Sequence, residues 1–140
     1  MSNSEAEVAA ANGAFYRALA SRLLRQMEEV WQQDETVSCI HPGWHRLEGW
    51  PEVRRSWEAI FASSRPWTVS CEEVRVRLAG DFASVTCVEV IVPFGGKGSD
   101  SAARMQATNL FARRGGRWKM IHHHASAYRA DAGSTEEPVN

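Results

Sequence analysis

The sequence predicts one α+β domain, with N-terminal helices packed on a curved antiparallel sheet that encloses a single small pocket. Three observations predict it. The segment up to Trp31 carries apolar residues at helical spacing, the segment after Pro66 alternates like paired strands, and the two kinds of element are segregated along the chain.

From Ser4 to Trp31, the residues Val8, Phe15, Leu19, Leu23, Met27 and Trp31 form one apolar stripe between Arg and Glu. Ser4 and Glu7 offer a capping box, Gly13 is a weak point, and a break near Ala20-Ser21 divides the region into two helices. Thr36 to Ile40 has a strand's length and β-branched content, and His41-Pro42-Gly43 ends it. Pro51 opens a further helix whose buried face is Val53, Trp57, Ile60 and Phe61. Two hairpins follow: Trp67 to Leu78 with Phe82 to Pro93 around Gly80-Asp81, and Ala102 to Arg113 with Arg117 to Tyr128 around Gly115-Gly116. Residues 94–100 form a glycine-rich connection without phosphate-loop spacing. The domain is expected to span residues 1–130, followed by a disordered polar tail at 131–140.

Sixteen basic and seventeen acidic residues give a formal charge of −1, and the arginines are interleaved with glutamates. That excludes the basic stripe of a nucleic-acid binder. No apolar run reaches the ~20 residues of a membrane span, and no basic-then-apolar leader is visible at the N-terminus. Cys39, Cys71 and Cys87 are an odd set without metal spacing, the pattern of reduced thiols in the cytoplasm.

Hairpin register decides which residues face the pocket. With Gly115-Gly116 at the turn, simple alternation pairs Asn109 with His122 and Ala107 with His124, and turns Trp118, Met120, His122 and His124 inward and His123 outward. In the first hairpin it groups Val74, Val76 and Leu78 with Ala83, Val85, Cys87 and Glu89, so that a carboxyl points along an apolar face. Acid–base chemistry needs a group titrating near neutrality with a donor beside it. His41, His122 or Glu89 is the candidate base, and Tyr16 or Asn109 the candidate donor. The competing interpretation is a structural network of His122, His124, Asn109, Glu89 and water. A minor alternative is a metal site of His122, His124 and Glu89. Of six tryptophans, Trp31, Trp57 and Trp118 fit core positions; Trp44 and Trp50, in a loop, either wall the pocket or seal a subunit interface.

Several motifs together resemble a SnoaL-like domain of the nuclear-transport-factor-2-like and ketosteroid-isomerase-like superfamily. They are W-x-x-D (Trp31, Asp34), C-I-H-P-G-W (Cys39 to Trp44), L-x-G-W (Leu47 to Trp50), S-W-x-x-I-F (Ser56 to Phe61), A-T-N-L-F (Ala107 to Phe111) and W-K-M-I-H-H-H-A-S (Trp118 to Ser126). The resemblance implies a cone-shaped, cystatin-like α+β fold, commonly a homodimer through the outer sheet face. It places His41 where ketosteroid isomerases carry their Asp base and Tyr16 where they carry an oxyanion-hole Tyr; Thr108 or Asn109 stands where their second acid would be. The implied function is a small-ligand pocket without a cofactor, either an isomerase- or cyclase-like enzyme with His41, Glu89 and Tyr16 catalytic, or a non-catalytic binding or dimerisation module. Trp44, Trp57, Asn109, His122 and His124 are the expected ligand contacts.

Overall fold

The computed structural model describes residues 3–63, 65–94 and 102–128. The expected connection at 94–100, Phe94 apart, and the expected tail at 131–140 lie outside the described residues. The N-terminal stripe folds as α1 (Asn3–Ser21) and α2 (Leu24–Val30). α1 runs through Gly13, and the break falls at Arg22, which adopts φ 58°. Arg22 then bonds the Phe61 carbonyl at 2.7 Å and lies over the Trp67 ring at 5.5 Å, tying the helix break to the next helix and the sheet. Ser4 lies inside α1, and Glu7 accepts from Trp118 Nε1 at 3.3 Å instead of completing a capping box.

β1 (Ser38–Ile40), β2 (Leu47–Glu48), α3 (Trp50–Ser63), β3 (Trp67–Ala79), β4 (Phe82–Pro93), β5 (Ala103–Arg114) and β6 (Arg117–Ala127) follow. The six strands form one sheet in the order β2-β1-β6-β5-β4-β3. β1 runs parallel to β6, a departure from the all-antiparallel expectation that the long excursion through α3 and four strands permits. Gly115 and Gly116 both have positive φ, 59° and 78°, as a two-residue turn matching the strand twist requires.

Two bulges change the expected faces. On β3, the pairing steps from Glu72–Val88 to Arg75–Thr86, and Glu73 takes φ 55°. The extra residue leaves Val74 exposed, while Val76 and Leu78 keep the expected partners Val85 and Ala83. On β6, Phe111 pairs with Met120 as alternation predicts, but Leu110 pairs with His122, so Ile121 is the extra residue. Beyond it the strand is flipped relative to expectation: Asn109 pairs with His123 and Ala107 with Ala125. His123 and Ala125 are buried, whereas His124 is exposed and His122 half-buried.

The core lies between the helices and the inner sheet face. Phe15 and Leu19 of α1, Met27 of α2 and Val53 and Trp57 of α3 meet Val85, Phe111 and Met120. Trp50, read from sequence as a loop residue, begins α3 and packs on Trp31 with ring centroids 6.1 Å apart. His123 fills the same core, 4.7 Å from the Phe15 ring.

The flipped register predicts opposite outcomes for adjacent histidines. His123→Ala removes a buried, hydrogen-bonded ring and should cost about 2–4 kcal/mol, while His124→Ala should stay within about 0.5 kcal/mol of the parent. Urea denaturation measures both. The reverse order would place the bulge elsewhere.

Candidate functional site

Two polar clusters line one cavity of about 230 Å³. Its apolar lining comes from Leu19, Trp44, Trp57, Ile60, Trp67 and Ile91; its polar lining is His41, Glu89 and His123. Strand and helix ends converge here because β1 stops at Ile40 and Pro42-Gly43 turns the chain, the Trp44 amide closing the turn on the His41 carbonyl at 2.9 Å. Trp44, at the rim, is 44 % exposed.

The first cluster is built on Glu89 of β4, buried opposite Cys71 and Met105. Tyr16 of α1 donates its hydroxyl to Glu89 Oε2 at 2.7 Å and also touches Cys87 Sγ at 3.3 Å. Asn109 Nδ2 donates to the Tyr16 oxygen at 3.1 Å and to Asn12 Oδ1 at 2.9 Å. With both its hydrogens facing acceptors, Asn109 offers only Oδ1 to His123, so His123 donates through Nδ1 at 2.6 Å. That leaves the His123 Nε2 lone pair 3.8 Å from Glu89 Oε2. The contact is an ion pair only if His123 is protonated, and burial holds its pKa well below the ordinary imidazole value. We therefore treat it as a contact between a neutral ring and the carboxyl.

Burial pushes the Glu89 carboxyl up to about 7, partly offset by the Tyr16 hydrogen bond. Burial, reinforced by the Glu89 charge, raises the Tyr16 phenol far above its ordinary value, so Tyr16 remains a donor. The second cluster is His41, buried against Trp44 and Trp57 with ring centroids 4.8 and 4.6 Å away. Its Nε2 lies 2.8 Å from Ser56 Oγ, and burial pushes the ring down to about 4.

The structure brings together His41, Glu89, Trp44 and Trp57 of the expected site residues, with Tyr16 behind Glu89. Asn109 is fully buried and saturated by Asn12, Tyr16 and His123, so it holds the wall instead of touching a ligand. His122 and His124 are corrected: the bulge turns both to the outer face, where His122 bonds Ser38 Oγ at 2.7 Å. The two-His, one-carboxylate metal arrangement with Glu89 is consequently not formed, and among the described residues no group of three or more His, Cys, Asp or Glu is placed to hold a metal. Asn12, Ser56, Cys87 and His123 were missed. Asn12 stands four residues before Tyr16 on one helix and Cys87 two before Glu89 on one strand, spacings that place each pair on a shared face.

The chain matches the SnoaL-like domain family over residues 8–130. Among solved structures it is similar to a provisionally assigned dehydratase of the NTF2-like family from Streptomyces avermitilis, at 34% identity and a TM-score of 0.81, covering 91% of this chain and 97% of that one. It is also similar to a provisionally assigned calcium/calmodulin-dependent protein kinase type II association domain from Thiobacillus denitrificans, at 30% identity and a TM-score of 0.76, covering 86% and 94%. It is 31% identical over 120 residues to the F-box protein SKIP8 of Arabidopsis thaliana, covering 86% of this chain and 49% of that protein, so it spans about half of that relative's length. Among the described residues no helix is long and apolar enough to cross a membrane. Helices on one face of a curved six-stranded sheet, together with these matches, place the chain in the SnoaL-like domain family of the NTF2-like superfamily.

Proposed function

We propose that the chain is a small-ligand pocket protein that moves protons on a small, largely apolar carbonyl substrate without a cofactor, in the manner of an isomerase or cyclase. The observation that carries this is Glu89: a buried carboxyl titrating at about 7, held by Tyr16 and open to an aromatic-lined cavity. A carboxyl poised near the working pH takes a proton from carbon and returns it with little thermodynamic penalty. Tyr16 acts through Glu89, fixing its orientation and opposing its upward shift. Three free thiols support a reducing, cytoplasmic setting.

A second role, association between copies of the chain, is favoured by the outer sheet face. Phe82 is exposed there, beside half-buried Leu110 and Ile121 around a shallow apolar pocket. A homodimer through this face would cover them. The two roles occupy opposite faces of the sheet and are compatible.

Deuterium exchange at the α-carbon of cyclic and aromatic ketones, followed by NMR in deuterated water, tests the chemistry. The rate should rise with pH to a plateau above about pH 7, the carboxylate being the base. Glu89→Gln should lower it by about 100-fold or more, and Tyr16→Phe should move the midpoint to higher pH because it removes the bond that holds the carboxyl down. Exchange unaffected by Glu89→Gln would remove Glu89 as the base.

Stability reports the same carboxyl independently. Glu89 has a folded pKa above its ordinary 4.5, so the folded state binds the proton more tightly, and stability is lost as pH rises from 4.5 to about 7. Relative to the parent, Glu89→Gln should be neutral below that window and stabilising by up to about 3 kcal/mol above it. The depressed His41 pKa gives an opposite slope, from about 4 to 6.5, which is common to both proteins and cancels in the comparison. A difference that does not change with pH would refute the raised pKa.

Sedimentation tests the association. The parent should be a dimer at micromolar concentration, and Leu110→Glu a monomer with unchanged circular dichroism. A monomeric parent would leave the outer face without this role.

A further inference from the structure

The Ser56 hydroxyl has one proton to give, and it donates it to the Val53 carbonyl one turn back on α3, at 2.6 Å. At 2.8 Å from His41 Nε2, the same oxygen can only accept, so Nε2 carries the imidazole hydrogen. Burial holds the ring neutral, and Nδ1 therefore keeps its lone pair. Cys39 Sγ does not occupy that lone pair. It stands 3.9 Å from Nδ1 and 3.7 Å from Nε2, whereas a donor on the Nδ1 lone-pair axis would be much farther from Nε2. Among the described residues the His41 ring has no hydrogen-bond partners besides Ser56 and this weak thiol contact. The titratable groups around the cavity are Cys39 from β1, Glu89 from β4 and His123 from β6. Trp57, edge-on to His41 and lining the same cavity, has a buried indole N–H without an acceptor among the described residues.

We propose that Ser56 positions His41 so that its Nδ1 forms a hydroxyl-accepting subsite of the cavity, and that the ligand is a small apolar alcohol, enol or phenol whose O–H donates to that nitrogen. The wall then reads as a polarity code. His41 Nδ1 asks for a donor, which a hydroxyl supplies, while the surrounding Trp and Ile side chains take the apolar body. The carbonyl substrate proposed above would therefore carry a hydroxyl as well, since carbonyl oxygens alone leave Nδ1 unmet. The subsite rests on the cavity being the ligand site proposed above, and adds the chemical class of one end of the ligand.

NMR of isotope-labelled imidazole nitrogens, with His41 assigned through His41→Gln, reads the tautomer without any turnover. The expected result is a neutral Nε2–H tautomer in the parent and in Ser56→Thr, and a mixture of tautomers in Ser56→Ala. Calorimetric titration with indanol and indane then reads the subsite. Indanol should bind the parent about tenfold more tightly than indane, Ser56→Ala should lose most of that preference with indane affinity unchanged, and Ser56→Thr should keep it. An Nδ1–H tautomer or a charged ring in the parent, equal affinity for the two probes, a preference untouched by Ser56→Ala, or no binding of either probe would each overturn the proposal. Failure of the acid–base chemistry is separable: if Glu89→Gln leaves proton exchange unaltered while the tautomer and the alcohol preference hold, the subsite stands and the catalytic role of Glu89 falls.

Discussion

A primary amide with no solvent exposure, Asn109, dictates the arrangement of the polar wall. Two donors and an acceptor in a dry core must all be met, since each unmade bond costs about 1–3 kcal/mol. Its two hydrogens go to Asn12 and Tyr16, which stand one turn apart on α1, and its oxygen takes the Nδ1 hydrogen of His123 on β6. The amide thus fixes the position of a helix against two strands and, in the same stroke, the direction of every hydrogen bond it touches. The Tyr16 oxygen accepts from Asn109 while its proton goes to Glu89. The orientation of the cavity's carboxyl is inherited from a residue that the cavity does not contain.

That inheritance requires His123, and not a neighbour, to meet Asn109, which the extra residue at Ile121 ensures. Here sequence and structure part. The helix stripe, both hairpin turns, the long strands and the inward Glu89 could all be read from period and turn chemistry, because those signals are local. A bulge is not local. Trp118 and Met120 alternate faithfully, and nothing in the triplet His122-His123-His124 marks where the alternation slips, since all three side chains are chemically identical. One clue existed: an uninterrupted register puts the polar rings of both His122 and His124 inside, whereas the bulged strand buries only that of His123. Ser56 was hidden for a different reason. A serine inside a helix normally reads as surface, and its role appears only once the helix is laid across the end of β1.

Burial shifts the pKa values of the two cavity groups, His41 and Glu89, in opposite directions. An imidazole ordinarily titrates above a carboxyl, 6.5 against 4.5, but here His41 falls to about 4 and Glu89 rises to about 7. The order is inverted by one cause, the low polarity of the cavity, which disfavours charge on either group. Between those two values the proton resides on the carboxyl and the imidazole is bare. The cavity then holds a neutral acid and a neutral base on its lining, with no net charge to desolvate when an apolar ligand displaces water.

This inversion is hard to explain as packing. A core that needed only to be filled would do better with aliphatic side chains at positions 41 and 89, since an isolated buried carboxyl lowers stability whenever it ionises. Away from the cavity Asn12 and Asn109 bond each other and Ser56 bonds Val53 and His41, whereas the three that reach it, His41, Glu89 and His123, each retain an uncommitted lone pair or proton site. Unsatisfied capacity gathered on the walls of one cavity, with saturated support behind it, is the distribution that ligand chemistry requires and that a structural network avoids. The SnoaL-like fold hosts more than one kind of role, so the fold alone does not choose between them. The choice lies in the inner wall, where the spare hydrogen-bonding capacity of His41, Glu89 and His123 gathers on a cavity lined by Trp44, Trp57 and Trp67.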